Sequence, residues 1–176
     1  MKIEKITTEH DKKSFDCGVL PLNNYLKTIS GQHEKKHLAR TFVLSDGKVP
    51  SKIIGFYTLA MMSIDQSSLP PEMVKKLPKG NLNCSLLGRL AIDIQYQGQG
   101  HGEFLLIDAI RNSYIASLSV PTPMLVVDAK DAKDAKDDKA KEFYEKYGFI
   151  AFPDEPYRLF LTMKDSELLL NRADLI

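Results

Sequence analysis

The segment QYQGQGHGEFLL, residues 95 to 106, has a glycine at every second position and then becomes apolar. Gly98, Gly100 and Gly102 lose more conformational entropy on folding than other residues would, so glycine at this density needs a local reason. A turn that directs its backbone N–H groups at one ligand is such a reason, because the N–H groups at the start of a helix lack partners and attract anions. The segment therefore predicts a phosphate-binding turn between a strand and a helix.

Three kinds of phosphate-binding loop compete for this segment. A Walker loop ends in Gly-Lys-Ser/Thr, whereas Gly102 is followed by Glu103, which excludes that loop. A dinucleotide fingerprint started at Gly98 has Glu103 at its third glycine position and follows a predicted antiparallel hairpin, which fits a Rossmann unit poorly. The third pattern is Gln97-x-x-Gly100-x-Gly102, after a strand and opening a helix. A glycine-rich turn without a ligand is the alternative to all three.

Hydrophobic periodicity along the chain predicts a mixed order of helices and strands. Two helices are indicated by apolar faces, one with Leu22, Tyr25, Leu26 and Ile29 and one with Phe104, Ile107, Ile110 and Tyr114. Ser30-Gly31 is expected to interrupt the first helix, and QHEKKH, residues 32 to 37, is then expected to continue as a polar surface helix or turn. The remaining elements are a hairpin over 41–60, a short helix within 69–80, strands over 86–93, 123–129 and 158–163, and a helix over 139–147 that stops at Gly148.

This order predicts an α/β fold with a mixed central sheet in a single domain over residues 1–176. Residues 163–176 form a C-terminal tail that is expected to add a helix or to fray. The segment DAKDAKDAKDDKAK, residues 128 to 141, repeats Asp-Ala-Lys and predicts a solvated loop or an extra helical turn; a binding role is the weaker alternative.

Composition excludes several classes of function. A net charge of +1 and an isoelectric point near 7.7 lie below the range of a dedicated nucleic-acid binder. There is no apolar run of membrane-spanning length and no signal peptide, so we expect a cytoplasmic protein with no membrane partner. Cys17 and Cys84 form no metal-ligand pattern, so we expect two reduced cysteines and no metal.

Further motifs accompany the glycine turn along the chain. FDCGVLPLNNYL, ARTFVL, GFYTLA, LLGRLAID, LLIDAI, AKEFYEKYGF and RLFLTM occur in that order over residues 14–163. As a set, and with the turn pattern, they resemble the GNAT superfamily of N-acetyltransferases, in particular its toxin–antitoxin type. The resemblance implies a single-domain GNAT fold in which helices flank a central sheet that splays into a V-shaped cleft for acetyl-CoA.

The resemblance also implies how acetyl-CoA binds. The pantetheine arm pairs with the backbone of one strand, and the pyrophosphate lies on the N–H groups of the glycine turn, which agrees with the reading of that turn from its residues. The His101 backbone is expected to bind phosphate while its ring faces water. The expected cofactor-binding residues are Leu90, Ala91 and Ile92 on the strand and Gln97, Gly98, Gln99, Gly100, His101 and Gly102 in the turn.

Tyr144, in AKEFYEKYGF, resembles the tyrosine that serves such enzymes as general acid. A phenol with a pKa near 10 is protonated at neutral pH and can donate to the departing thiolate. The alternative is a core tyrosine on an apolar helix face; Tyr147, just before Gly148, is expected to pack. No general base stands out, and the scattered histidines are expected at the surface: His10, His33, His37 and His101.

A missing base suits an α-amine acceptor, because at pH 7 an α-amine is neutral roughly several hundred times more often than a lysine amine. The toxin-type relatives acetylate the α-amine of aminoacyl-tRNA, and Arg40 and Arg89 stand in their motifs as candidate substrate-binding residues. Arg89 is alternatively an ion-pair partner at a strand end. Five lysines that would extend a basic rim are alternatively just solvated: Lys35, Lys36, Lys75, Lys76 and Lys79.

Other functions stay open on the sequence. The acceptor could be a small amine or a protein N-terminus, and in another class of function the chain could bind acyl-CoA without turnover. The resemblance also implies two partners, a small ribbon-helix-helix antitoxin and a second copy of the chain in a homodimer.

Overall fold

The computed structural model describes residues 1–129 and 137–176. Its first half contains β1 (Lys2–Lys5), α1 (Leu20–Asn24), a π-helical segment (Tyr25–Ile29), α2 (Ser30–Lys35), β2 (Arg40–Ser45), β3 (Ile53–Asp65), a 3-10 turn (Gln66–Ser68), α3 (Pro71–Val74) and β4 (Asn81–Ile92). Its second half contains a 3-10 turn (Ile94–Tyr96), α4 (His101–Ser117), β5 (Met124–Asp128), α5 (Asp138–Lys146), β6 (Ile150–Ala151), β7 (Arg158–Thr162) and α6 (Met163–Arg172). The described strands form one seven-stranded sheet in the order β1-β2-β3-β4-β5-β7-β6.

The chain divides into two compact units. The first consists of Met1–Ala60 and Leu87–Ala109, and the second of Met61–Leu86 and Ile110–Ile176. Strands β3 and β4 and helix α4 contribute residues to both units. No helix of the described residues is both long enough and apolar enough to cross a membrane.

In the first unit, β1, β2 and β3 pair antiparallel, with Val43 of β2 opposite Phe56 of β3. Phe56 lies at the centre of a buried cluster, where its ring stacks on Tyr25 at 6.4 Å and meets Phe15 edge-on at 5.5 Å between centroids. Ala91 of β4 belongs to the same cluster. The core of this unit therefore anchors the end of β4, directly before the glycine turn.

In the second unit, β5 and β6 each pair antiparallel with β7. The four apolar residues of β5, Met124 to Val127, are all buried, and the rings of Phe152 and Phe160 meet edge-on at 5.2 Å beside them. The strand of β5 was expected from the sequence, and in the sheet it lies between β4 and its antiparallel partner β7.

Most predicted elements are confirmed, but the first helix does not stop at Ser30-Gly31. It continues through the π-helical segment into α2 and ends at Lys35. The Ser30 N–H donates to the Tyr25 carbonyl five residues back, and the Ser30 hydroxyl donates to the Leu26 carbonyl at 2.7 Å. The serine thus replaces the hydrogen bond that the wider turn removes, and the chain stays helical. Ile29, expected on the buried face, is 39 % exposed.

Helix α4 buries a different face from the predicted one. Phe104 is 51 % exposed, whereas Leu105, Leu106, Ala109 and Ile110 are fully buried. Four consecutive apolar residues, Phe104 to Ile107, let more than one helical face fit the periodicity, so the sequence could not fix the face.

Other outcomes concern the edges and ends of the fold. The short edge strands β1 and β6 were not predicted, because KIEK is polar and β6 has only two residues. Of the two outcomes left open for the tail, the structure has the helix, α6. Both cysteines are free, as expected. Residues 130–136, half of the predicted Asp-Ala-Lys segment, lie outside the described residues.

Candidate active site

The glycine turn joins β4 to α4 within the first unit. Gly98 and Gly100 have φ of 75° and 81°, a left-handed conformation that costs any other residue more than glycine. Helix α4 begins at His101, and the Phe104 N–H donates to the Gly100 carbonyl at 3.2 Å. The N–H groups before Phe104 therefore have no carbonyl one turn back to receive them.

The space beside these glycines is open. A Cβ built on Gly98 or on Gly100 meets no atom within 4 Å. A ligand can therefore come directly against the backbone at the positive end of a 17-residue helix. The predicted residues 97–102 lie together in this turn. The turn fits a pyrophosphate because it offers unpaired N–H groups, the positive end of a helix and no side chains at the glycines.

The strand residues predicted to hold pantetheine lie just before this turn. Ala91 is 6 % exposed, whereas Leu90 and Ile92 are half-buried. The Ile92 carbonyl accepts a hydrogen bond from Gln97 Nε2 at 2.9 Å. The side chain of Gln97, expected among the cofactor-binding residues, is thus bonded to the backbone that leads into the turn.

The histidines differ from expectation. His101 Nε2 does not face water: it is buried and has no hydrogen-bond partner among residues 1–129 and 137–176. The ring lies 6.2 Å from that of Tyr96, on the preceding 3-10 turn, because the helix starts at His101 and turns the side chain inward. His10 is also buried, at 7 % exposure, and its Nδ1 accepts the Thr7 N–H at 3.0 Å. His33 is half-buried, and only His37 is exposed.

Tyr144 lies on α5 in the second unit. It is 8 % exposed and packs against Phe143 and Phe149, with ring centroids 5.3 and 5.6 Å away. Burial, and secondly the Asp137 carboxylate, raises the pKa of the Tyr144 hydroxyl above its ordinary value. That hydroxyl has no hydrogen-bond partner in the described part of the chain. It is therefore a protonated donor at neutral pH and is not committed to a protein acceptor.

Hydrogen bonds fix the start of α5, the helix that follows residues 130–136 and contains Tyr144. Asp137 caps the helix by accepting the Ala140 N–H at 3.1 Å, and its own N–H donates to the Ala129 carbonyl at 3.2 Å. At the end of β5, Arg158 donates to both oxygens of Asp128, at 2.8 and 3.2 Å. The bond between Asp137 and Ala129 joins the start of α5 to the end of β5, and Arg158 of β7 holds the last residue of β5, so the position of Tyr144 does not depend on the repeat alone.

The two candidate substrate-binding arginines have different surroundings. Arg40 pairs with Glu34 at 2.8 Å, and its Nη2 lies 3.0 Å from His37 Nδ1. The Arg89 guanidinium lies over the Tyr25 ring, 3.6 Å from its centroid, and burial lowers its pKa. Among the described residues no carboxylate lies within ion-pair distance of Arg89, and the partner that the structure shows is the ring of Tyr25.

The sequence placed Tyr25 on a buried helix face, and it gave no sign that the ring of Tyr25 also contacts the Arg89 guanidinium. The five candidate lysines are all exposed, Lys35 and Lys36 in the first unit and the other three in the second. The described residues contain no group of three or more His, Cys, Asp or Glu side chains that could hold a metal ion.

Comparison with known proteins decides the family. The model of the acetyltransferase (GNAT) domain matches residues 37–151, more than half of the chain. The chain belongs to the GNAT acetyltransferase family. A tRNA-acetylating toxin of Mycobacterium tuberculosis (strain ATCC 25618 / H37Rv) is 32 % identical to this GNAT chain over 167 residues, 94 % of each protein.

Solved structures of similar GNAT proteins cover nearly the whole chain. A tyrosine-to-phenylalanine mutant of KacT has a TM-score of 0.86 and 35 % identity, over 96 % of this chain and 98 % of its own. AtaT complexed with acetyl-methionyl-tRNAfMet has a TM-score of 0.85 and 33 % identity, with the same coverage. A mutant AtaT toxin bound to the C-terminus of the antitoxin AtaR and acetyl-CoA has a TM-score of 0.77 and 30 % identity, over 96 % and 97 %.

Proposed function

We propose that this GNAT protein transfers the acetyl group of acetyl-CoA to the α-amine of an aminoacyl-tRNA and so blocks translation as a toxin. The observation that carries the proposal is its similarity to AtaT, solved with acetyl-methionyl-tRNAfMet, over 96 % of the chain. The tRNA-acetylating toxin of M. tuberculosis, matched over 94 % of the chain, supports the same acceptor.

The glycine turn supports the acetyl-CoA half of the reaction. We assign the pyrophosphate to the N–H groups of Gln97 through Gly102, where open space and the start of α4 coincide. We assign the pantetheine arm to the backbone of Leu90, Ala91 and Ile92, at the end of the strand that leads into the turn.

Tyr144 is the general acid in this proposal. Transfer joins the acetyl carbonyl carbon to the amine nitrogen and breaks its bond to the CoA sulfur, which leaves as a thiolate. The Tyr144 hydroxyl donates its proton to that sulfur, and water takes the proton that the amine loses. Because its pKa is raised, the hydroxyl stays protonated until the thiolate forms.

An α-amine acceptor explains why no dedicated base is needed, since its pKa of about 7.7 to 8.0 leaves much of it neutral at pH 7. Arg89 supports a nucleic-acid acceptor, because a half-buried guanidinium that has no carboxylate partner among residues 1–129 and 137–176 can receive a phosphate. Arg40, already paired with Glu34 and 42 % exposed at its side chain, contributes less positive charge to such a site.

Partners and location follow from the same similarity. AtaT bound to the C-terminus of the antitoxin AtaR supports the proposal that an antitoxin neutralises this protein, and we expect it to be of the ribbon-helix-helix class. We also propose that the protein acts in the cytoplasm, where charged tRNA is found, and that it works as a homodimer.

The test is transfer of labelled acetyl groups from acetyl-CoA to a mixed pool of charged tRNAs. Tyr144→Phe removes only the hydroxyl, so we expect transfer to fall about a hundredfold while acetyl-CoA affinity is kept. Tyr147→Phe, at the C-cap of the same helix, is the matched control and is expected to transfer at close to the wild-type rate.

Each other outcome points elsewhere. If small amines or protein N-termini become labelled and tRNA does not, then the acceptor is one of these amines and not aminoacyl-tRNA. Acetyl-CoA binding without transfer to any amine would instead indicate a binding module without turnover. Equal loss in Tyr144→Phe and Tyr147→Phe would contradict the assigned general acid.

The phosphate contact of Arg89 has its own test. Arg89→Met keeps most of the length of the side chain but removes the charge. We therefore expect a higher KM for tRNA and an unchanged Kd for acetyl-CoA. The affinity for tRNA should also depend less steeply on salt concentration, by the equivalent of about one phosphate contact. Arg111→Met, which loses a hydrogen bond to the Leu175 carbonyl, is the control. An unchanged salt dependence in Arg89→Met would overturn the contact.

A further inference from the structure

The Gln97 side chain has no hydrogen left for a phosphate. Its Nε2 carries two hydrogens, and it donates to the Cys17 carbonyl at 3.1 Å and to the Ile92 carbonyl at 2.9 Å. Both partners are carbonyl oxygens, so only the nitrogen of the side-chain amide fits between them. Gln97 therefore ties the start of the glycine turn to the end of β4 and to a loop 80 residues earlier in the chain.

That earlier loop, residues 15–18, is itself firmly held. The Asp16 carboxylate accepts the Gly18 N–H at 2.8 Å and Asn23 Nδ2 at 2.7 Å. Asn23 Oδ1 in turn accepts the Cys17 N–H at 2.9 Å. The carbonyl that receives Gln97 thus belongs to a loop with several fixed backbone groups and can serve as a rigid anchor.

A second connection runs beside the first. The buried Asp93 carboxylate accepts the Asp16 N–H at 3.1 Å and the Gln95 N–H at 3.0 Å, and the Ile94 N–H donates to the Asp16 carbonyl at 2.8 Å. The 15–18 loop therefore contacts the chain at both ends of the 3-10 turn that precedes the glycines. Asp93 and Ile94 make the contact where the turn begins, and Gln97 makes it where the turn ends.

We propose that Gln97 is a positioning residue: by holding the glycine turn against the 15–18 loop, it orients the N–H groups of residues 98–102 toward the pyrophosphate. This inference rests on the proposed use of acetyl-CoA. The turn needs such a support because Gly98 and Gly100 make its backbone permissive, and a flexible turn would have to be ordered by each ligand that binds.

The chemistry of the contact predicts which substitutions work. Arginine also presents a planar group with several N–H donors and can reach two carbonyls, so Gln97→Arg is expected to rescue. Gln97→Met has a similar length but leaves both carbonyls without their donor, and Gln97→Glu directs acceptors at them. Gln95→Met, two residues earlier on the 3-10 turn, is the matched control. In the described part of the chain, the one hydrogen bond of the Gln95 side chain is accepted from Lys52 Nζ at 3.4 Å.

The experiment compares two acetyl donors, acetyl-CoA and S-acetylpantetheine, which lacks the pyrophosphate. For Gln97→Met we expect the KM for acetyl-CoA to rise about tenfold, with kcat and the KM for S-acetylpantetheine close to wild type. Gln97→Arg is expected to restore the KM, and thermal unfolding shows whether any variant has lost its fold. Equal effects on both donors, or none on either, would overturn the inference.

Hydrogen exchange tests the same contact without a ligand. We expect Gln97→Met to speed the exchange of the hydrogen-bonded N–H groups of residues 16–18 and of Phe104, which donates to the Gly100 carbonyl, while Gln95→Met leaves them unchanged. Wild-type protein that binds no acetyl-CoA would refute the proposed function, whereas unchanged exchange in Gln97→Met would refute the positioning role on its own.

Discussion

Substituting alanine for Gly98 or Gly100 tests the central feature of this site, the glycine turn. Both residues have a left-handed φ, where alanine costs about 1–2 kcal/mol. No atom lies within 4 Å of the added methyl group, so the strain of the backbone is the whole cost to stability. For a chain of 176 residues each kcal/mol lowers Tm by about 2–4 °C, so we expect a decrease of about 2–8 °C.

The effect on acetyl-CoA has a different origin. The methyl group fills the space through which the pyrophosphate would approach the backbone, and it separates the phosphate oxygens from at least one N–H group. A hydrogen bond to a charged group contributes about 1.5–3 kcal/mol, so Kd is expected to rise about ten- to a hundredfold. Isothermal titration calorimetry with acetyl-CoA measures this change directly.

Gly80→Ala separates the two effects. Gly80 has a φ of 104°, and a Cβ there also meets nothing within 4 Å, but it lies before β4 rather than in the turn. We expect a comparable decrease in Tm and an unchanged Kd. If Gly98→Ala and Gly100→Ala lower Tm but bind acetyl-CoA as tightly as Gly80→Ala, then the turn does not hold the pyrophosphate.

Three further predictions concern the acid, the core and the α5 anchor. We expect kcat/KM to rise as an α-amine acceptor deprotonates near pH 8. Because the pKa of Tyr144 is raised, kcat/KM should then stay level to about pH 10, and a decline that starts below pH 9 would contradict the role of the tyrosine. Gly55→Ala would place a Cβ 2.6 Å from Ile92 Cδ1 and 2.9 Å from the Ala91 carbonyl, so denaturant unfolding should show a loss of about 1–3 kcal/mol, and an unchanged midpoint would refute the close packing. Arg158→Met should cost about 1–3 kcal/mol in thermal unfolding because it leaves the Asp128 carboxylate without its bidentate partner, and Arg158→Lys should cost less; equal costs would argue against the two-pronged contact.

The sequence by itself predicted the parts of this protein that depend on neighbours in the chain. The glycine turn, the hairpin, the strand of β5 and the stop at Gly148 are each specified by a few consecutive residues, through permitted backbone angles and alternation of apolar side chains. The motif of Tyr144 could be recognised for the same reason, since AKEFYEKYGF forms one amphipathic helix and its cap.

Only the tertiary structure decided which side chains meet across the chain. Gln97 reaches a carbonyl 80 residues away, Arg89 lies on the ring of Tyr25, and α4 buries Leu105 rather than Phe104. Each of these contacts pairs segments that are remote in sequence, and the same residues would satisfy the local pattern with other partners. Periodicity and spacing describe a segment alone, whereas the energy of these contacts comes from the surface that the rest of the fold presents to it.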